Sequence, residues 1–254
     1  MDVVIDPELA VGYLMALARA IAWVVVVPPF GTRMVPPMIK VGLAAALTLA
    51  VGSEVTKQAV PLDGGSLVVG AVTQIAIGVT MGFVGVILFA AVQAAGASID
   101  LFGGFAMAQV LDPQNGVHTS LFGRFYNLLA TTLLFAVGGH LLLVRGFLRS
   151  FDAVPASGFK AEGVAAMMTH DVALLLVSAL EIAAPLLAAL FLADVALGLL
   201  TRAAPEMNIF VVGLPLKVLL TLLLTGLALP LLPGAVSNLT VHVVRDSLLM
   251  VGVR

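Results

Sequence analysis

Apolar positions in this chain run on for longer than the core helices and strands of a globular protein require. They cluster at about 9–29, 38–52, 67–99, 119–148, 171–202 and 209–233, with polar residues gathered between them. All but the second run reach or exceed the ~20 residues that cross a ~30 Å hydrocarbon layer as a helix. The pattern predicts an all-α protein of five or six long helices. The short second run, Met38 to Gly52, is expected to pair with the first as a hairpin across the corner from Pro28 to Pro37. Pro28, Pro29, Pro36 and Pro37 make that corner firm, because each fixes its own φ and biases its predecessor away from the helical region. Segments 53–66 and 150–170 carry Gly, Ser, Asp and Lys and read as loops, too short to be separate domains. The chain is therefore expected to form one membrane domain over 1–254, with about 1–118 and 119–254 as rough halves.

The third run holds no charged residue from Gly64 to Ile99, between Asp63 and Asp100. As a single helix, 67–99 would be ~50 Å long at ~1.5 Å per residue, so it must tilt, break or leave the membrane. Gly78, Gly82, Ala90, Ala94 and Ser98 share one i, i+4 row, interrupted by Val86, and such a row lets another backbone approach closely. Pro185 cannot donate to the carbonyl of Glu181, nor Pro215 to that of Val211, so both later helices are expected to kink.

Composition turns this pattern into a class. Of 254 residues, 61% are hydrophobic and 10% charged, against roughly 25% charged in a soluble domain. Too few charges remain to wet a globule, and a polytopic membrane protein is the class left. The net charge of −2 and the lack of Lys and Arg clusters exclude nucleic acid as a partner. Cys is absent, which removes disulfides and thiolate metal sites. The acidic start, Met1 to Glu8, has no basic region or small-residue cleavage site, so no leader is expected to be removed. Arg33 and Lys40 place the first corner in the cytoplasm, and Arg145 and Arg149 the 150s loop, although few positive charges decide this. Trp23, Tyr13 and Tyr126 are the only Trp or Tyr residues, few for a lipid-anchoring belt, which suggests that much of the surface faces protein.

Candidate chemistry is sparse. No phosphate-binding, dinucleotide-binding, zinc-protease or hydrolase motif occurs, so an enzyme has no constellation to stand on and no cofactor is implied. His118, His140, His170 and His242 are scattered without an i, i+4 partner and do not make a metal site. Arg19, Glu181, Asp194 and Lys217 interrupt apolar runs. Each would cost ~2.5–3.5 kcal/mol at a bilayer centre, so they should face a polar cavity, an opposite charge or another subunit. Either they form a proton or ion relay, or they are buried or intersubunit pairs or helix ends outside the hydrocarbon; without a repeated pair of acidic helices the structural readings fit better. The segment from Asp100 to Gly116 joins paired glycines, large apolar side chains and an Asp112-Pro113 turn, and reads as an apolar loop between two long helices.

These residues, taken together, resemble the FliR family of flagellar biosynthetic proteins and its virulence counterparts in type III secretion. The matching stretches are Pro29 to Arg33 with Pro36 and Lys40 to Leu43; Gly104 to Ala106 with Asp112 to Gln114; Gly139 to Leu142; and Leu197 to Phe210 followed by Gly213 to Lys217. The last block is the most specific, carrying Arg202, Pro205, Asn208, Phe210 and Pro215, while Glu206 stands where the family pattern has Gln. The resemblance implies a bacterial inner-membrane component of the flagellar basal body. It would assemble with FliP-like and FliQ-like subunits, and a FlhB-like gate subunit, into a helical, largely protein-enclosed pore for unfolded export substrates. By the same resemblance Phe102, Gly103, Gly104, Phe105, Met107 and Leu111 would belong to a plug that closes the pore. A virulence export-gate subunit is one alternative. A small-solute secondary transporter is another, but it calls for an inverted repeat, and the proline corner has no counterpart in the second half.

Overall fold

The computed structural model describes residues 6–52, 63–106, 120–153, 161–204 and 209–250, of which 153, 161–168, 209, 210 and 250 are described by backbone alone. Among them every regular element is helical: α1 (Pro7–Val26), α2 (Pro37–Ala50), α3 (Gly64–Gly103), α4 (Leu121–Ala136), α5 (Gly139–Ala153), α6 (Ala161–Ala203), α7 (Ile209–Ala228), a 3-10 turn (Leu229–Leu231) and α8 (Leu232–Met250). Four helical stretches are long and apolar enough to span a membrane, or five if Leu121–Ala136 and Gly139–Asp152 act as one broken span, and Pro37–Ala50 is a shorter apolar helix. The protein is thus an all-α polytopic membrane protein, with the expected five or six apolar helical stretches.

Local chemistry explains the boundaries. Pro7 opens α1 at a position where the missing N–H costs nothing, and the Asp6 carboxylate accepts from the Glu8 N–H at 3.1 Å. Asp63 caps α3 by accepting from the Ser66 N–H at 3.0 Å, and this bond, together with one to the Ser66 side chain, holds its carboxyl below the usual range. Contrary to one of the three outcomes allowed by its length, α3 does not break: it is one 40-residue helix. The apolar run through 119–148 does break, at Gly138 (φ +73°), because only glycine takes that conformation cheaply. Helix continues through Pro185 in α6 and Pro215 in α7. It also continues past residue 233, where the apolar run ends, since Val236, Leu239, Val243 and Ser247 recur at helical spacing and are buried.

The chain divides into two compact units, one of 1–88, 138–172 and 240–254, the other of 89–137 and 173–239. In the first unit α1 and α2 pack on each other as the hairpin expected from the proline corner, and Lys40 Nζ donates to the Gly31 carbonyl at 3.0 Å across it. Two of the five small residues in the row work as expected: a Cβ at Gly78 would collide with the Arg19 carbonyl and lie 2.9 Å from Ala22 Cβ, and one at Gly82 would lie 2.8 Å from Val26 Cβ. Trp23 stacks on Phe147 with ring centroids 4.5 Å apart. Both Trp23 and Tyr126 are buried core residues and not part of an interfacial belt.

In the second unit the end of α3 lies along the start of α4. A Cβ at Gly96 would collide with the Phe122 carbonyl and come within 2.8 Å of the Gly123 Cα. Tyr126, Ala130 and Leu134 form the buried face of α4.

Candidate functional site

The root of the expected plug belongs to the second unit and is packed. Phe102 is partly exposed, whereas Gly103 is buried, and a Cβ there would lie 2.8 Å from the Thr221 side chain of α7. Gly104 has φ +85°, and a Cβ there would approach Leu214 Cδ1 at 3.4 Å and Lys217 Cδ at 3.9 Å. A left-handed glycine ends α3 and turns the chain. Phe105 then meets Phe122 edge-on, with centroids 5.1 Å apart. Met107 and Leu111, the other two residues assigned to the plug, lie outside the described residues.

Beside this root is an ion pair. Lys217 Nζ lies 2.6 Å from Asp194 Oδ1 and 2.9 Å from Oδ2, joining α7 to α6. The Lys217 side chain is 18% exposed and that of Asp194 40%. This is the opposite-charge outcome for two of the four intramembrane charges. Glu181 is exposed and has no hydrogen bond or ion pair among the described residues; it joins neither Asp194 nor Lys217. In the family-like block, Arg202 and Pro215 are exposed. Pro205, Asn208 and the side chain of Phe210 lie outside the described residues.

Arg19 sits in the first unit, fully buried. Its Nε donates to Gln74 Oε1 at 2.5 Å and its Nη1 to the Ser150 carbonyl at 3.0 Å. The guanidinium carbon also lies 4.3 Å from the centre of the Phe151 ring. One side chain thus bridges α1, α3 and α5 through neutral acceptors and a ring face, which matches a delocalised, weakly hydrated cation.

Sequence reading missed Gln74, Ser150, Asp100 and Ser120. Gln74 lies one helical step before Gly78 in the small-residue row, with Gly70 one step earlier, so extending the row backward would have exposed a polar residue on a packing face. Asp100 is the first charge after the chargeless stretch. It is buried and accepts from Ser120 Oγ and, at 3.1 Å, from the Phe122 N–H. Also in the second unit, an apolar cavity of about 670 Å³ lies between α4 and α7, lined by Arg124, Phe125, Leu128, Leu222 and Leu229 among others. Among the described residues no group of three or more His, Asp or Glu side chains is placed to hold a metal. Among the described residues the arrangement packs helices closely at Gly96 and Gly103 and pairs Lys217 with Asp194.

Residues 10–243 match the family described as bacterial export proteins, family 1. The chain is 32% identical to the flagellar biosynthetic protein FliR of Bacillus subtilis (strain 168) over 261 aligned residues, covering 100% of both chains. It is 33% identical to FliR of Escherichia coli (strain K12), over 87% of this chain and 85% of that one. Similarity also extends to the Yop proteins translocation protein T of Yersinia pestis, 30% identical over 81% of this chain and 80% of that protein. With a family match over nearly its whole length and these levels of identity, the chain belongs to the bacterial export proteins, family 1.

Proposed function

We propose that this protein is the FliR-type subunit of a flagellar type III export gate, a multi-pass protein of the bacterial inner membrane and no enzyme. The observation that carries this reading is the alignment to a flagellar FliR over the full length of both chains. Its partners are FliP-like and FliQ-like membrane subunits, with a FlhB-like subunit at the gate, and unfolded flagellar proteins are the cargo. The long apolar helices with exposed leucines on α6 and α7 supply surfaces for such neighbours. Residues 102–111 close the empty pore as an apolar plug, because a passage wide enough for an unfolded chain would otherwise leak ions.

Deleting the gene for this chain from its own bacterium should abolish swimming and the secretion of hook and filament proteins, and re-expression should restore both. Normal flagellar secretion in the deletion strain would overturn the reading. A second reading, a virulence export-gate subunit, is favoured by the similarity to the Yersinia protein. In that case the deletion would spare motility and stop the release of effector proteins.

A further inference from the structure

We propose that the cavity between α4 and α7 is a binding site for an anionic phospholipid, with one acyl chain filling it and the phosphate held by Arg124. The proposal goes beyond the export reading and does not rest on it. Both helices belong to stretches apolar enough to lie in a membrane, where acyl chains are the surrounding solvent. The cavity measures about 670 Å³, and Arg124 and Thr225 carry the only polar side chains among the residues that line it. Such a size and such a wall, apolar with few polar groups, are those of a small-ligand site. A helix ~10–12 Å across with a ~5.4 Å pitch fills roughly 400–600 Å³ per turn. The cavity therefore holds between one and two turns, too little for a spanning helix of another subunit, whereas a thin, flexible acyl chain enters it.

The two polar side chains supply the anchors. Arg124 lies in the first turn of α4, is exposed, and has no side-chain hydrogen bond or ion pair among the described residues. A lone cation is unfavourable at the positive end of a helix, so an anion beside Arg124 gains from the guanidinium and from the helix together. Asp100, the carboxylate that reaches this end of α4, is already bonded to Ser120 Oγ and the Phe122 N–H. A guanidinium matches phosphate oxygens bidentately, and basic pockets between membrane helices take anionic headgroups. Thr225 is the second anchor. One turn earlier, Thr221 Oγ1 donates to the Lys217 carbonyl at 2.8 Å, a usual bond for a threonine within a helix. Thr225 Oγ1 instead is buried with no partner among the described residues. Rotation about χ1 lets that hydroxyl donate to an ester carbonyl of the lipid, which removes the cost of leaving it unpaired.

The test places the full chain, with the subunits that co-purify with it, in phosphatidylcholine nanodiscs carrying a minor fraction of phosphatidylglycerol. A diazirine on the acyl chain of one lipid or the other marks the peptides it touches. At equal probe content, phosphatidylglycerol should label 121–128 and 222–229 several-fold more than phosphatidylcholine does. A Cβ at Gly226, on the cavity wall, meets nothing within 4 Å, and leucine is a better helix former than glycine. Gly226→Leu therefore fills the cavity without weakening α7, and it should cut labelling of both peptides several-fold. Arg124→Gln should remove the preference for phosphatidylglycerol, and Thr225→Val should lower labelling by both lipids. Equal labelling by the two lipids in the unaltered chain, or labelling that survives Gly226→Leu, overturns the proposal. So does a protein adduct at the cavity, because a photoreactive residue in place of Leu222 should capture lipid and no neighbouring polypeptide.

Discussion

Arg19 and Lys217 show two ways of keeping a cation inside an apolar chain. Arg19 is fully buried, with Gln74, Ser150 and Phe151 around its guanidinium. Lys217 is partly exposed and is held by a carboxylate. Arg19→Leu removes the donor from Gln74 Oε1 and from the Ser150 carbonyl, and stranding buried acceptors costs about 1–3 kcal/mol. We therefore expect Arg19→Leu to lower the thermal midpoint of the assembled protein. Adding Gln74→Leu should cost less than the sum of the two single changes, measured as a double-mutant cycle. Additive losses would show that the Arg19–Gln74 contact contributes nothing. For Lys217→Leu the discount for exposure is large, and the expected loss is about 1 kcal/mol or less, read as reduced co-purification with partners and relieved by Asp194→Leu. Motility lost with assembly intact would instead place Lys217 in the translocation path. The sequence made these four intramembrane charges visible as interruptions in apolar runs. It did not reveal that Asp194 and Lys217 pair, because they lie 23 positions apart on different helices, with no periodicity to link them.

At the scale of elements, hydrophobic length was the legible quantity and the interruptions were less so. The hairpin at the proline corner follows from φ restriction, which is local and readable from Pro28 to Pro37. The break at Gly138 is equally local, but Gly138-Gly139 inside an apolar run looks the same as the paired small residues that let helices pack. The last helix escaped the apolar pattern because its buried face is a narrow stripe. Gly138 offers a clean test, since a Cβ there would meet nothing within 4 Å. Any penalty for Gly138→Ala is therefore backbone strain, about 1–2 kcal/mol, and Gly138→Asn should lose less because Asn tolerates the left-handed region. Urea or thermal melts of the purified assembly would compare the two, and equal losses would contradict this account. Gly96→Ala is the steric counterpart: its added methyl collides with the Phe122 carbonyl, so it should separate α3 from α4 and reduce assembly.

For the whole molecule, the distribution of buried surface argues for partners. In the apolar window of Gly64–Phe102, 67% of the residues are buried within the chain, against 28% for Thr169–Ala203 and 17% for Val211–Leu249. Exposed Leu180, Phe191, Leu192, Leu219, Leu223 and Leu227 leave α6 and α7 with apolar surface that lipid or neighbouring helices must cover. Lipid alone would leave Glu181, exposed on α6, in an unfavourable place, and an intramembrane carboxylate calls for a polar partner. The resemblance carried by the block from Leu197 to Lys217 made the family legible, while the Asp100–Ser120 contact and the Arg19 bridge depend on contacts between separate segments that no short motif encodes. Expressed without partners, the chain is therefore expected to aggregate or be degraded. The most direct measurement is affinity purification of the tagged chain in mild detergent, with and without co-expression of its genomic neighbours. The account predicts a stable complex with two other small hydrophobic proteins when they are present, and poor recovery when they are not. A monodisperse, thermally stable monomer or symmetric dimer recovered without any partner would contradict it.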